Sequence, residues 1–422
     1  MSMAPERPLE LPAALARATA VLRAADKDAE QRINLVPSEA RMSPLARRPL
    51  GTDLYFRYFF NEQADPLFWQ FRGGQETGHL EHDLAIPALR RLSGASHVNI
   101  RPLSGLNAML LVISALGGEI GSSIVCVDPR SGGHFATASL IRRLGRRPIA
   151  IAVRDGRVDG DELAAALAGH DVPLVYLDLQ NALVELDVAS AAALVAHHSP
   201  ATRLHVDASH ALGLVLGRAH ANPIDAGADS FGGSTHKSFP GPQKGAVFTR
   251  DATIAAQLKE AQFDLISSHH FAETIALGLA AAEFEVFGES YARQVIDNAR
   301  VLARSLRDHG FDVAGGGPEL TDTHQVWMRH GSIESVTRLA ERLAAAGIAA
   351  NVQDDLPGQR GAAFRLGVNE TTFEGAGVEA MRTIADAFAQ ARNGVLRISA
   401  AEIRSTFEAP FHYPESALAR HA

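Results

Sequence analysis

The sequence predicts an α/β protein: a mostly parallel central sheet covered by helices, followed by a smaller C-terminal α+β unit. Three observations carry this. Short β-rich, mostly apolar runs occur at 123–127, 148–153, 174–179, 203–206 and 246–249. Helical patterns separate them, as at 161–168 and 188–198. From 271 to about 310 the pattern is nearly all helical, and short strands and helices then resume. Strands buried on both faces need helices on either side, and helical crossovers make such strands parallel.

Taken in order, residues 1–45 read as an N-terminal arm, in which 13–25 is an amphipathic helix suited to packing on a partner subunit. The large domain is placed at 46–290 and the small domain at 291–422. In the small domain the pattern gives a strand at 325–328, a helix at 334–346 ended by Gly347, a strand at 364–368 and a helix at 378–392. No internal repeat or low-complexity linker is visible.

The chain of 422 residues is 46% hydrophobic and 21% charged, the balance of a soluble globular protein. Its formal charge of −8 argues against general nucleic-acid binding. The single cysteine, Cys126, lies in an apolar run and suits core packing in a reducing compartment. No secretory signal is evident, and Glu119 interrupts the longest candidate for a membrane span. A cytoplasmic location without membrane association is the expectation. The adjacent pairs His197-His198 and His269-His270 are poor metal ligands, because neighbours on a helix point to different faces, so no metal site is expected.

Chemistry concentrates in two segments. One is Gly232-Gly233-Ser234-Thr235-His236-Lys237-Ser238-Phe239-Pro240-Gly241-Pro242. The other, upstream, is Val206-Asp207-Ala208-Ser209-His210. A lysine after small and hydroxyl residues on a tight polar loop, with an acid at a strand end, suits pyridoxal 5′-phosphate (PLP). Lys237 would form the Schiff base, and Asp207 would hold the pyridinium nitrogen protonated. The protonated ring is then an electron sink for a carbanion at an amino acid's α-carbon. Alone, the segment also reads as a solvated turn with a surface lysine. A nucleotide-binding P-loop fits poorly, because it needs glycine directly before Lys-Ser and His236 stands there.

Four more sites extend the set. Ser104 and Gly105 open an apolar helical run and can cradle phosphate on the helix dipole and free N–H groups, although an ordinary N-cap looks the same. Ser131-Gly132-Gly133-His134 follows the strand at 123–127; its glycines admit a flat ligand and its imidazole can stack on one. His210 can touch the cofactor's ring oxygen or orient Asp207. Arg365 sits inside an apolar strand and needs a partner. A substrate α-carboxylate held bidentately would serve, as would a structural ion pair.

The order of phosphate loop, histidine, acid, lysine and distal arginine resembles fold-type-I PLP-dependent enzymes, and within them the serine hydroxymethyltransferase family. The matching segments are Leu35-Val36-Pro37-Ser38-Glu39 with Ser43-Pro44, Arg72-Gly73-Gly74, Ser104-Gly105, Gly132-Gly133-His134, Val206 to Leu214, Ser234-Thr235-His236-Lys237 with Gly241-Pro242, and Arg365. They run from about 33 to 392. The resemblance implies that Lys237 carries PLP, Asp207 pairs with the ring nitrogen, His134 stacks on the ring and His210 meets the phenolic oxygen side. It implies that Ser104, Gly105 and Ser234 bind phosphate, with His236 among the cofactor contacts. It implies that Ser38 and Arg365 hold the substrate carboxylate, that Glu62 is the catalytic glutamate, and that the enzyme is a homodimer with shared active sites.

Departures from the family pattern bear on the substrate. Ser38-Glu39-Ala40 stands where the family has Ser-Glu-Asn, and Phe71-Arg72-Gly73-Gly74 where it has Tyr-Tyr-Gly-Gly. Leu106 replaces a second serine, Gln243 replaces an arginine, and Ser267-Ser268-His269-His270 replaces a glycine-rich stretch. The cofactor core is kept while the folate and side-chain region is rebuilt. The expected chemistry is aldol-type cleavage or formation at Cα–Cβ, or hydroxymethyl transfer, on a non-standard substrate of specialised metabolism. Arg72 would recognise an added anionic or polar group, and tetrahydrofolate would be dispensable. The alternatives are a threonine aldolase or transaldolase, β-elimination by a C–S lyase, and decarboxylation with oxidative deamination of a cysteine-like conjugate.

Overall fold

The computed structural model describes residues 12–59, 63, 65–73, 75–315, 319–359 and 361–418. Its centre is a seven-stranded sheet in the order His97–Asn99, Gly245–Thr249, Ser230–Ser234, Arg203–Asp207, Leu174–Asp178, Ser123–Val127, Arg147–Ile151. Neighbours from Ser230–Ser234 to Arg147–Ile151 pair in parallel, and Gly245–Thr249 runs antiparallel to both strands beside it. Each expected strand is present. The run at 148–153 divides: Arg147–Ile151 joins the sheet, and Val153–Arg154 turns back in a hairpin with Arg157–Val158.

Ser230–Ser234 is a full central strand where the sequence pattern suggests only a polar loop. Glycine and serine are weak strand formers, but here the lack of a side chain is what the packing requires. A Cβ on Gly232 would strike the Ala246 carbonyl, and one on Gly233, at φ +125°, would strike Ser209 and the Asp207 carboxylate. The strand therefore lies close enough to Asp207 to carry the following lysine to it.

The second sheet has the order Ile33–Leu35, Ile348–Gln353, Ala363–Gly367, Gln325–Arg329, Asp312–Val313. Ile33–Leu35 belongs to the arm region of the sequence, yet all three residues are buried and the strand pairs in parallel with Ile348–Gln353. The helix Ala13–Gln31 that precedes it buries no residue, and Leu15, Val21 and Leu22 stand more than half exposed. A 38-residue helix, Phe271–Asp308, runs unbroken across position 290. At 1.5 Å per residue it spans about 57 Å, long enough to pack on elements of both sheets.

One apolar core runs through both units, from Val125, Val175 and Phe231 of the large sheet to Phe364, Met381 and Phe388 of the small one. The long helix also ties them by a polar contact: the Tyr291 hydroxyl donates to the Ser238 carbonyl at 2.7 Å and to the Asn369 carbonyl at 3.3 Å. No helix among the described residues is long and apolar enough to cross a membrane.

Candidate active site

Three parallel strands end together. Asp178 and Asp207 are lateral neighbours at the carboxyl ends of their strands, and Gly232 of the next strand lies beside Asp207, at the edge where open α/β sheets bind ligands. The Asp207 carboxylate is held from two sides. Its Oδ2 accepts the Tyr176 hydroxyl at 2.6 Å, and its Oδ1 accepts the Ser209 N–H at 2.9 Å. Tyr176 is buried and stacks on His205, whose Nδ1 lies 2.8 Å from Ser230 Oγ. Burial, with the Asp207 and Asp178 charges, pushes the phenol well above its ordinary range, so it stays protonated and donates.

Lys237 follows the strand Ser230–Ser234 and is half-buried. Burial pushes its amine down to about 8; Asp207 works against this shift and Arg365 adds to it. The Lys237 carbonyl accepts from Asn369 Nδ2 at 3.1 Å, and the same nitrogen donates to the Glu39 carbonyl at 2.5 Å. The small unit thus fixes the lysine's main chain. Lys237 lines an open cleft of 650 Å³ with His236, Ser38, Glu39, Arg41 and Gln243. Burial and the Lys237 charge push His236 down to about 4, and its Nδ1 has no partner among the described residues.

His134 senses both Asp207 and Lys237. Burial holds its imidazole below the ordinary range, Asp207 raises it and Lys237 lowers it. Its Nδ1 accepts the Ala136 N–H at 3.2 Å, which leaves the proton on Nε2. Its own N–H donates to Asp178 Oδ2 at 3.2 Å, and the Thr137 hydroxyl donates to the same oxygen at 2.5 Å. Asp178 is buried and pushed up to about 7 by that burial, the Thr137 hydroxyl working against the shift and the Asp207 charge adding to it. This acid was not among the site residues expected from the sequence. Its signal, an Asp closing the apolar run Leu174–Asp178, was the same one that marked Asp207.

Ser104 caps the helix Gly105–Leu116 by accepting the Asn107 N–H at 3.2 Å. The first N–H groups of a helix have no intrahelical partner, so Gly105 and Leu106 present donors. Gly105 meets Ser234 so closely that a Cβ would collide with the Ser234 hydroxyl. Ser104, Gly105 and Ser234 are therefore brought into one corner. Behind it, the Gly245 N–H donates to the Pro102 carbonyl at 3.0 Å. The fully buried Lys244 beside Gly245 donates to the His269 carbonyl at 2.9 Å, and Arg101 pairs with Glu81 at 2.7 Å. Burial and Arg101 push Lys244 down to about 7. Nothing in the sequence distinguishes Lys244 from a surface turn lysine.

Arg365 is buried, and its partners are neutral. Nε donates to Gln325 Oε1 at 3.1 Å, and Nη2 donates to the Gln180 carbonyl. Gln325 Nε2 donates to the same carbonyl at 3.0 Å, and Trp327 Nε1 donates to Gln325 Oε1 at 3.1 Å. Burial lowers the guanidinium to about 10, so it keeps its charge. The His210 ring lies 3.3 Å from Arg365 Nη2 and stacks on His324 at 5.6 Å between ring centres. Burial and the neighbouring cations hold His210 well below its ordinary range, hence neutral. Gln325, His324 and Asn369 had no sequence signal, since each acquires its place only through the second sheet. Arg72 is exposed and donates to the Leu67 carbonyl at 3.1 Å, and Glu62 lies outside the described residues. Among the described residues no group of three His, Cys, Asp or Glu side chains forms a metal site.

These residues fit PLP on structural grounds. The Ser104–Gly105–Ser234 corner suits a phosphate, and the anchored Asp207 carboxylate suits a cationic ring nitrogen. The lowered Lys237 amine suits attack on an aldehyde. A family profile described as serine hydroxymethyltransferase matches residues 16–388. The chain belongs to the serine hydroxymethyltransferase family. It is 32% identical over 374 residues to a serine hydroxymethyltransferase of Korarchaeum cryptofilum, covering 83% of this chain and 84% of that one. It is 51% identical over 396 residues to an L-threonine:uridine-5′-aldehyde transaldolase of a Streptomyces species, covering 93% and 96%. A solved L-threonine transaldolase from Pseudomonas fluorescens superposes with a TM-score of 0.82 at 26% identity, covering 96% of both chains. This member of the serine hydroxymethyltransferase family is thus a fold-type-I PLP-dependent enzyme that acts at the Cα–Cβ bond of an amino acid.

Proposed function

We propose that this enzyme is an L-threonine transaldolase whose acceptor is a nucleoside-5′-aldehyde. The Cα–Cβ bond of threonine breaks and acetaldehyde leaves; a new bond joins Cα to the acceptor's aldehyde carbon, and its oxygen becomes a hydroxyl. The observation that carries this reading is identity near one half, sustained over almost the full length of both chains, with proteins named for that reaction.

When bound, PLP supplies the sink for the electron pair left on Cα. The protein's part is placement. Ser104, Gly105 and Ser234 would hold the phosphate, and Asp207, braced by Tyr176 and Ser209, would keep the ring nitrogen protonated. Neutral His134 would pack on the ring, with His210 toward its oxygen side and His236 near the lysine. Arg365, with Ser38, would bind the amino acid's carboxylate and so fix the orientation of the Cα–Cβ bond to be broken. Glu62 is assigned the proton at the β-hydroxyl oxygen.

A homodimer with shared sites and a cytoplasmic setting belong to the same proposal. The exposed apolar side of Ala13–Gln31 and the exposed Tyr55, Phe56 and Phe68 support the first, and the buried lone Cys126 supports the second. The test is a coupled assay. The holoenzyme with L-threonine and uridine-5′-aldehyde, without folate, should release acetaldehyde and yield a nucleoside amino acid in equal amounts. Acetaldehyde release unaffected by the acceptor, or serine cleavage that needs tetrahydrofolate, would overturn the reading.

A further inference from the structure

A second cleft, of 470 Å³, lies between loops of the large sheet and the small-sheet face that carries Arg365. Trp327 lines it and sits directly across from Arg365 in the strand pairing, so the two side chains share a face. The cleft adjoins the site through common hydrogen-bond partners and chain neighbours. Trp327 and Arg365 both donate to Gln325 Oε1, and Asn181, also in the lining, follows Gln180, whose carbonyl accepts Arg365. Ser131, on the loop that bears His134, closes another wall.

Two side chains of this lining are chemically unfinished. Asn181 Oδ1 and Gln359 Oε1 are buried with no hydrogen-bond partner among the described residues. Asn181 is only 6% exposed, and its main-chain N–H is fixed on the Gly132 carbonyl at 3.1 Å. A carboxamide presents an acceptor beside a donor, which matches a ligand edge with an N–H beside a carbonyl. The indole adds a flat apolar surface for a ring. Both arginines at the rim are already paired, Arg130 with Asp128 at 2.8 Å and Arg154 with Asp159 at 3.2 Å, and the acid Asp155 also lines the cleft. The lining favours a neutral heterocycle over a phosphate.

We propose that this cleft receives the base of the acceptor, a pyrimidine-2,4-dione, and that Asn181 is the residue that reads its imide edge. The inference rests on the transaldolase reading only for the acceptor being a nucleoside. Binding is tested first, by calorimetric titration of the holoenzyme with uridine and with 3-methyluridine, which lacks the imide N–H. Uridine should bind on the order of tenfold more tightly, as expected when a buried amide loses its partner. The gap should close in Asn181→Leu. Turnover is tested second, with threonine and either uridine-5′-aldehyde or the 5-aldehyde of methyl riboside, which has no base. Asn181→Leu should lower kcat/KM about tenfold for the first aldehyde and leave the second within twofold. Equal binding of the two nucleosides to wild type would overturn the proposal, and that comparison stands even if the variant fails to fold. A preference for uridine without turnover of either aldehyde would sink the transaldolase reading and keep the base site. Turnover of both aldehydes without base preference would do the reverse.

Discussion

Gly105→Ala isolates the phosphate corner. The added methyl would meet the Ser234 hydroxyl and stand 3.1 Å from both the Ser234 Cβ and its main-chain nitrogen. Ser234 cannot retreat freely: its N–H donates to Ser209 Oγ at 2.8 Å, and its strand pairs with Gly245–Thr249. Overpacking of this kind costs about 1–3 kcal/mol. Alanine also favours a helix over glycine by about 1 kcal/mol, so the helix itself is not weakened. Cofactor-free protein can relieve the clash by letting the first helical turn draw back, whereas bound phosphate holds the corner closed. The cost therefore falls mainly on the holoenzyme, as a PLP dissociation constant raised roughly 5- to 150-fold. Spectrophotometric titration of cofactor-free protein with PLP measures this. Leu106→Ala, one residue on at an exposed position, should stay within twofold of wild type and serves as the control. An unchanged constant in Gly105→Ala would refute the placement of the phosphate.

Other predictions follow from the same geometry. Borohydride reduction of the holoenzyme should attach the cofactor to Lys237 alone, and Lys237→Ala should bind PLP without a covalent link; peptide mapping reads both. Arg365→Ala should raise the KM for threonine about 10- to 150-fold, since a charged hydrogen bond is worth about 1.5–3 kcal/mol, while the PLP spectrum stays intact. In cofactor-free protein the raised Asp178 carboxyl makes folding weaken as pH rises from near 4 to about 7, because the unfolded chain loses that proton first. Asp178→Asn removes this effect, so its thermal stability relative to wild type should climb across that window and level off above it. Serine cleavage should not be stimulated by tetrahydrofolate in wild type, and Arg72→Tyr should restore some dependence, which paired assays with and without the folate would reveal.

Asp207 and Lys237, which the structure brings into one site, were legible because each is announced by its neighbours in the chain. Asp207 closes an apolar strand, and Lys237 follows a run of small residues whose glycines turn out to be packing requirements. Helices with clear periodicity and flanks were legible to the residue, as at Val188–His198, capped by Asp187, and Val378–Arg392. Ser230–Ser234 was not, since its strand character comes from two neighbouring strands that leave no room for side chains. Asp178 was passed over because its partners, His134 and Thr137, lie far off in sequence and meet it only after the sheet forms. The same holds for Gln325, in the second sheet, and Asn369, on the short helix Asn369–Phe373 that follows it. That the strand Ile33–Leu35 would be claimed by that sheet, through a partner more than three hundred residues away, leaves no local trace.

The central claim is that threonine's Cα unit passes intact to an aldehyde acceptor. It is tested most directly by incubating the holoenzyme with L-[2-13C]threonine and uridine-5′-aldehyde and locating the label by carbon NMR. Transfer to the acceptor places 13C at the α-carbon of a new nucleoside amino acid and releases unlabelled acetaldehyde in equal amount. Label appearing only in glycine, with the uridine aldehyde left unchanged, would contradict it.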